Sequence, residues 1–158
     1  MKSDSIRVRP GKLSDSAVVL RWRNDPQSRL HSRQSDPISA DSHERWFTSV
    51  LENPDRYLYI GELNDQLLGQ VRFDLMESTQ ADFEVSISLE PELRGNGLAE
   101  PLLLAAESSF LDCTQVHALY AWVNTTNVVS QQLFQRAGYT MEKSTELESN
   151  WWVKEINV

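Results

Sequence analysis

The stretch FEVSISL-EPELRGNGLA-EPLLLAAESSFL, residues 83–111, decides the fold of this chain. Apolar residues occupy every second position from Phe83 to Leu89, which is typical of a strand with one apolar face. After a glycine-rich turn, apolar residues recur at helical spacing from Leu98. Pro101 fits the first turn of that helix, where its missing N–H costs no hydrogen bond. The sequence therefore predicts a strand, a tight turn and a helix in direct succession.

The turn has the composition of an anion-binding site. Gly95 and Gly97 permit positive φ and close approach of a ligand to the backbone, and Ala99 is small. The first N–H groups of a helix have no partner inside the helix and attract negative charge. The G-x-G pattern is equally compatible with a turn that serves geometry alone. A P-loop and a dinucleotide fingerprint are excluded, because neither G-K-S/T nor a third glycine follows.

Two motifs resemble the GNAT superfamily of acyl-CoA N-acyltransferases. Arg94–Ala99 fits its R/Q-x-x-G-x-G/A signature, directly after a strand that ends in a P-E pair. Downstream, the chain fits the family pattern N-x-x-S/A-x-x-L-Y/F-x-x-x-G-F/Y at Asn127, Ser130, Leu133, Phe134, Gly138 and Tyr139. The resemblance implies an enzyme that moves an acetyl group from acetyl-CoA to a primary amine, without a metal.

Three upstream segments are similar to one branch of that superfamily. They are WRNDP (22–26), PIS (37–39) and HERWF (43–47). They resemble ribosomal-protein N-terminal acetyltransferases and, more closely, the aminosugar N-acetyltransferases of pseudaminic acid biosynthesis. The resemblance implies a nucleotide-linked aminosugar as the acceptor, with a protein or peptide N-terminus as the alternative.

Composition bounds the class of protein. A chain of 158 residues is expected to form one domain, here 1–158. Its 15 basic and 23 acidic side chains give a net charge of -8, which argues against nucleic acid as a partner. No apolar run reaches the roughly 20 residues that span a bilayer, and no signal-type segment opens the chain, so we expect a cytoplasmic protein. We also expect a monomer or a homodimer. Cys113 is the single cysteine and the histidines are dispersed, so no metal site is predicted.

Periodicity and turn chemistry place the remaining elements. The segment 27–36 has no clear period and is expected to be a loop. Helices are predicted at 14–24, 39–53, 98–111 and 127–137, and strands at 6–9, 57–63, 67–75, 83–89, 116–123, 139–143 and 151–156. Together they predict an α/β fold with a mixed sheet of about seven strands, antiparallel at first and parallel around the glycine turn. The resemblance adds helices on both faces and a splayed cofactor cleft.

The resemblance also implies how the cofactor binds. The pyrophosphate lies on the amides of the glycine turn, and the pantetheine arm lies along the end of the preceding strand. Asn127 contacts the cofactor from the other side, although a plain helix cap is equally compatible with that residue. The implied cofactor residues are Ile87, Ser88, Leu89, Arg94, Gly95, Asn96, Gly97, Leu98, Ala99, Glu100, Asn127 and Phe134.

The chemistry requires a group that removes a proton from the attacking amine. Glu84, on the central strand, is our candidate base, acting through water; a paired structural carboxylate is the alternative interpretation. His43 competes because imidazole titrates near neutrality, although a histidine beside Trp46 and Phe47 is more often a packed part of a helix face. The resemblance assigns the backbone N–H of Leu89 to the oxyanion.

Phe134 stands where many family members carry a tyrosine that protonates the leaving thiolate. A phenyl ring cannot donate a proton. Ser130, Tyr120 or Tyr139 could substitute, or the thiolate, whose parent thiol has a pKa of about 8.5, could leave unassisted. This departure also gives some support to a different class of function, a CoA-binding module without catalysis.

The acceptor site is expected in the first third of the chain and on the neighbouring strands. Aromatic stacking and phosphate contacts are assigned to Trp22, Arg29, Arg33, Trp46 and Arg72. The alternative is that the tryptophans belong to the core and the arginines to a solvated face.

Overall fold

A computed structural model describes residues 6–33, 35–142 and 149–156. The strands are β1 (Ile6–Pro10), β2 (Arg56–Leu63), β3 (Gln66–Leu75), β4 (Asp82–Leu89), β5 (Ala118–Asn124), β6 (Thr140–Glu142) and β7 (Ser149–Glu155). The helices are α1 (Ser16–Asn24), α2 (Pro26–Leu30), α3 (Ala40–Glu52), α4 (Ala99–Cys113) and α5 (Val128–Arg136), with short 3-10 turns at Leu13–Asp15 and Pro91–Leu93.

The strands of the described residues form one mixed sheet of order β1-β2-β3-β4-β5-β7-β6. All neighbouring pairs are antiparallel except β4 and β5, which are parallel. The chain passes from β4 to β5 through α4, the crossover that a parallel pair requires. The predicted α/β class and the mixed seven-stranded sheet are thereby confirmed.

Helices cover both faces of the sheet. On one face, α4 and α5 pack Leu102, Phe110 and Leu133 against the strands. On the other, which we call the α1/α3 face, Trp22 and Phe47 form a second apolar cluster with residues of β2. Because side chains alternate along a strand, the apolar residues of β4 point to α4, whereas Glu84, Ser86 and Ser88 belong to the α1/α3 face.

The hairpin between β2 and β3 closes through a two-residue turn. Leu63 and Gln66 are paired, and the two residues between them, Asn64 and Asp65, have φ of 51° and 66°. Two positive φ values in a two-residue loop define the turn type that matches strand twist, and asparagine and aspartate tolerate it well.

One expected loop contains a helix. α2 (Pro26–Leu30) overlaps the start of the segment 27–36 that we expected to be a loop, so that prediction was wrong for residues 27–30. Pro26 occupies the first turn of the helix, and the Asp25 carboxylate accepts the Ser28 N–H at 3.1 Å. A capping aspartate followed by proline starts a helix without any apolar period, since no residue of α2 is buried.

The last two predicted strands are shifted by a residue or two. Residues 140–142 and 149–155 are the strands observed, and Lys143 lies outside the described residues. β7 pairs with both β5 and β6. The second half of the sheet is therefore built on β7.

A buried carboxylate ties α4 to this second half. Glu107 is 3% exposed; it accepts a hydrogen bond from the Tyr139 hydroxyl at 2.7 Å and pairs with Lys154 Nζ at 2.7 Å. Burial and the Glu107 charge raise the pKa of Tyr139, which remains a neutral donor. A buried charge is tolerated here because both carboxylate oxygens are paired.

We predict that Glu107→Ala lowers the free energy of unfolding by about 3 kcal/mol, because it leaves a buried hydroxyl and an ammonium without their partner. Urea unfolding measures this change. Asp112→Ala, an exposed carboxylate on the same helix, is the matched control and should change stability by about 0.5 kcal/mol or less. Equal effects of the two substitutions would contradict the assignment.

Candidate active site

Strands β4 and β5 diverge in the middle of the sheet. They pair only at Asp82–Ala118, Phe83–Leu119 and Glu84–Tyr120. β4 nevertheless remains paired with β3 as far as Leu89, and β5 remains paired with β7 as far as Asn124. A cleft therefore opens between the two halves of the sheet, beginning at Glu84.

The cleft exposes a defined set of backbone groups. The Glu90 N–H donates to the Leu68 carbonyl at 2.7 Å, and hydrogen-bonded pairs alternate along an antiparallel ladder. By this alternation, the backbone groups of Ser88 are used by β3, whereas those of Ile87 and Leu89 point toward the cleft. Ile87 and Leu89, two of the three strand residues that we predicted for the pantetheine arm, therefore direct backbone groups to the cleft. The third, Ser88, directs its backbone groups to β3.

The glycine turn lies at the end of the same strand. Gly95 and Gly97 have φ of 79° and 69°, and a Cβ added at either residue meets no atom within 4 Å. Leu98, the N-cap residue directly before α4, provides no side-chain cap. The N–H groups of Ala99 and Glu100 thus lack an intrahelical partner, and Leu102 makes the first helical bond, to Leu98 O at 3.1 Å. Open space above the glycines and free amides at a helix N-terminus fit a pyrophosphate.

Arg94, directly before the glycine turn, directs its side chain to the start of α2. Its guanidinium pairs with Asp25 at 2.7 Å and donates to Gln27 and Ser28, both at 3.1 Å. Burial opposes ionisation of Asp25, but the hydrogen bonds from Arg94 and from the Ser28 N–H outweigh it and lower the pKa of that carboxyl. The pair joins the glycine turn to the start of α2.

On the far side of the cleft, α5 brings the second motif into place. Asn127 caps this helix by accepting the Ser130 N–H at 3.2 Å, and its Nδ2 has no partner among the described residues. Ser130 is half-buried one turn before Phe134, which is 4% exposed and packs edge-on against Tyr139 with 5.0 Å between ring centroids. The cap leaves the Asn127 amide available to a ligand.

The substitute proton donors occupy different environments. Tyr139 donates to Glu107 and is 2% exposed, so it does not face the cleft. Tyr120 is half-buried on the α1/α3 face and pairs in register with Glu84. Burial, with the charges of nearby acidic residues, raises the pKa of Tyr120. Of the three candidate hydroxyls, Ser130 and Tyr120 are half-buried, whereas Tyr139 is committed to Glu107.

Glu84 lies where β4 leaves β5. Its side chain is 26% exposed and pairs with Arg33, with 3.2 Å between Nη1 and Oε2. The Arg33 guanidinium lies over the rings of Trp122 and Trp151, at 4.8 and 5.2 Å from their centroids. The carboxylate is thus reachable from solvent and is held by a half-exposed cation, which an incoming ammonium can replace.

His43 is enclosed within α3 and its neighbours. It is fully buried; Nε2 donates to the Ser16 carbonyl at 2.9 Å, and Nδ1 accepts from Arg23 at 3.0 Å. Burial, followed by the positive charge of Arg23, lowers the pKa of the imidazole, which is therefore neutral. Because both ring nitrogens are occupied, this geometry favours Glu84 over His43 as the base.

The five predicted acceptor residues separate into two groups. Trp22 is fully buried with its indole N–H directed at Glu90, and Arg29 donates to the carbonyls of Asn24 and Ser35 at 3.1 and 3.3 Å. These two residues hold the α1–α3 segment together. Arg33, Trp46 and Arg72 also lie on the α1/α3 face but, unlike Trp22, are at least partly exposed, and Arg72 pairs there with Asp74, the register partner of Glu84.

Sequence reasoning missed four residues of this face. Arg23 and Arg56 approach the Trp46 ring, and Trp122 and Trp151 lie under Arg33. The indole N–H of Trp122 is buried without a partner among the described residues. Only the alternation of β5, which places Trp122 on the same face as Tyr120, could have indicated one of them.

Comparison with known proteins agrees with this geometry. The family model for the acetyltransferase (GNAT) domain matches residues 5–140. The chain belongs to the GNAT family. It is therefore an acetyl-CoA-dependent N-acetyltransferase, with acetyl-CoA as the donor. No curated protein matches the chain at a significant level.

Solved structures of GNAT enzymes share the fold. RimL, a ribosomal L7/L12 alpha-N-protein acetyltransferase in complex with coenzyme A, is 12% identical with a TM-score of 0.82, covering 96% of this chain and 94% of that one. AAC(6')-Ib in complex with ribostamycin and coenzyme A is 17% identical with a TM-score of 0.83, and the covered shares are again 96% and 94%. A chimera of the Vibrio cholerae spermidine N-acetyltransferase SpeG and hSSAT is 16% identical with a TM-score of 0.82, covering 96% of this chain and 95% of that one.

Two features are absent from the described residues. None of the helices there combines the length and apolar character needed to cross a membrane. Within the same residues, no group of three or more histidine, cysteine or acidic side chains is arranged to hold a metal ion.

We predict that Gly97→Val weakens CoA binding at least about ten-fold, because the added side chain enters the space above the turn and strains a positive φ. Isothermal titration calorimetry with CoA measures the effect. Gly138→Val is the matched control, since Gly138 also has positive φ, 99°, but lies after α5. Unchanged CoA affinity in a folded Gly97→Val protein would overturn the assignment of the turn.

We predict that Phe134→Tyr lowers the free energy of unfolding by about 1–3 kcal/mol, because it buries a hydroxyl beside Tyr139. The turnover number should stay within about ten-fold of wild type, since a new general acid helps only where thiolate departure limits the rate. Urea unfolding and thiol release measure the two quantities. A large fall in turnover with normal CoA affinity would instead show that the phenyl ring contacts the reacting atoms.

Proposed function

We propose that this enzyme acetylates the primary amine of a nucleotide-linked aminosugar, with Glu84 removing the amine proton. The position of Glu84 carries this proposal: its partly exposed carboxylate lies at the last β4–β5 pair, where the cleft begins. An amine bound on the α1/α3 face reaches Glu84 from that face, whereas the cofactor approaches the same point along the cleft.

The strand and the turn bind the donor. Acetyl-CoA supplies an acetyl thioester when it is bound. The free backbone groups of Ile87 and Leu89 orient the arm as an added strand would, and the N–H of Leu89 donates to the thioester carbonyl oxygen as negative charge develops there. The N–H groups of the turn and of the first residues of α4 hold the pyrophosphate.

Proton transfer is divided between the two edges of the cleft. An alkylammonium is not a nucleophile, so Glu84 accepts a proton from the acceptor, directly or through one water. On the α5 side, Ser130 is the hydroxyl one helical turn from Phe134 and therefore shares its face. We assign Ser130 to proton delivery to the leaving thiolate, with Tyr120 as the alternative.

The acceptor is assigned from the charges on the α1/α3 face. Arg33 and Arg72 provide donors for phosphate, and Trp46 provides an aromatic surface. A protein or peptide N-terminus is the alternative acceptor, favoured by the net charge of -8, which attracts basic substrates. The cytoplasmic location and the monomeric or homodimeric state stay predictions.

A panel of amines identifies the acceptor. Thiol release from acetyl-CoA is measured with nucleotide aminosugars, free aminosugars and peptides with a free N-terminus. We expect the highest kcat/KM with a nucleotide aminosugar. Preference for the peptides would replace that acceptor, and absence of steady thiol release with every amine would indicate a CoA-binding module without catalysis.

We predict that Glu84→Gln lowers kcat/KM by about 10²-fold or more while the Kd for CoA stays within about two-fold, because the substitution keeps the shape and removes the base. His43→Gln is the paired variant and should reduce stability more than activity, since its ring is buried and doubly hydrogen-bonded. If His43→Gln abolished activity and Glu84→Gln retained it, the assignment of the base would be reversed.

A further inference from the structure

Three arginines surround one tryptophan on the α1/α3 face. The guanidinium carbons of Arg23, Arg72 and Arg56 lie 3.8, 5.0 and 5.7 Å from the centroid of the Trp46 ring. They come from α1, β3 and β2, so only tertiary packing brings them together. We call these three residues the arginine cluster.

The three arginines of the cluster share a single directly paired carboxylate. Asp74 pairs with Arg56 at 2.9 Å and with Arg72 at 2.8 Å, and is shared between them. Arg23 has no carboxylate partner among the described residues; its one hydrogen bond there is to the neutral His43. Three cations against one carboxylate leave two positive charges without a counterion.

This excess is unfavourable in the ligand-free protein. Burial, and then the charges of Arg72 and Arg56, lower the pKa of Arg23 to about 10. An arginine is ordinarily protonated under all conditions that proteins meet. Like charges held together in a partly buried place raise the energy of the folded state unless an anion joins them.

The cluster is open to solvent and adjoins the proposed base. The side chains of Arg56 and Arg72 are 24% and 18% exposed. Arg56 and Asp74 also line a surface cavity of about 450 Å³, whose other charged lining residues, Asp55 and Glu77, are exposed acids. Arg23 and Arg72 do not line it, so this cavity is separate from the arginine cluster. Towards β4, Arg72 approaches the Ser86 hydroxyl at 3.5 Å, and Asp74 lies across from Glu84.

We propose that the arginine cluster binds a phosphoryl group of the acceptor, which places the acceptor's amine at Glu84. This inference rests on the proposed function and deepens it. A phosphoryl group carries up to two negative charges, which match the uncompensated charge of the cluster. The planar guanidinium donors suit its oxygens, and Nε and Nη2 of Arg23 donate to no described residue.

Direct binding to the CoA-saturated enzyme tests the site, because CoA already fills the glycine turn. The probes are uridine diphosphate and glucosamine 6-phosphate. Uridine and glucosamine, which lack the phosphoryl groups, are their counterparts, and all four are titrated calorimetrically. We expect at least one phosphorylated probe to bind at least about ten-fold more tightly than its counterpart. Tighter binding of uridine diphosphate identifies a nucleotide-linked acceptor, and tighter binding of glucosamine 6-phosphate a sugar phosphate.

Substitutions then locate the binding. Arg23→Gln should weaken the phosphorylated probe at least about ten-fold and leave the unfolding temperature unchanged or higher, since it relieves repulsion. Arg45→Gln, an exposed arginine next to Trp46 on α3, removes the same charge and should stay within about two-fold. If Arg23→Gln does not fold, Arg56→Gln serves instead, because Asp74 keeps Arg72 as its partner.

Two results would overturn the proposal. The first is that neither phosphorylated probe binds more tightly than its counterpart. The second is that both probes bind Arg23→Gln as tightly as wild type while the variant loses stability, which is the result expected if Arg23 has only a structural role. If an amine is acetylated but no phosphoryl probe binds, the role of the arginine cluster is rejected and the proposed function stands. If a phosphoryl probe binds but no amine is acetylated, the proposed function is rejected and the role of the cluster stands.

Discussion

The divergence of β4 from β5 after Glu84 is the constraint on which the active site depends. Unpaired backbone groups inside a sheet are costly unless water or a ligand satisfies them. Here β4 keeps its β3 partner to Leu89, and the half of the sheet built on β7 moves away. The same divergence directs the backbone groups of Ile87 and Leu89 to the cleft and leaves the Glu84 carboxylate partly exposed, so the proposed donor and acceptor sites adjoin at this point.

Arginine pairs join the acceptor side to this cleft. Arg94 ties the glycine turn to Asp25 at the start of α2, and Arg33, shortly after that helix, reaches Glu84. The short α2 thus lies between Arg94's partner Asp25 and Arg33, which pairs with Glu84. In a chain with net charge -8, three arginines nevertheless cluster around Trp46 on the α1/α3 face, and a low local dielectric strengthens the effect of such a cluster on an anion.

Local patterns predicted much of the fold. The alternation from Phe83 to Leu89, the two glycines and Pro101 fixed the order strand, turn and helix, because each is a local backbone preference. α2 was missed since its start depends on a capping aspartate and a proline rather than on an apolar period. His43 shows the limit for side chains. Its helix was predicted, but its two hydrogen-bond partners, Ser16 and Arg23, belong to α1 and are 20 or more residues away in the sequence.

Local sequence patterns were enough to predict the α/β class, the position of the glycine turn and the cap of α5, since these follow from backbone conformation and short-range hydrogen bonds; two motifs predicted the family. Tertiary packing was needed to show that the Glu84 carboxylate is partly exposed whereas His43 is buried, that Ile87 and Leu89 rather than Ser88 direct backbone groups to the cleft, and that Tyr139 donates to Glu107. It alone assembled Arg23, Arg56 and Arg72 around Trp46. Burial, strand register and charge clustering are properties of residues distant in the chain, and they arise only when the elements pack.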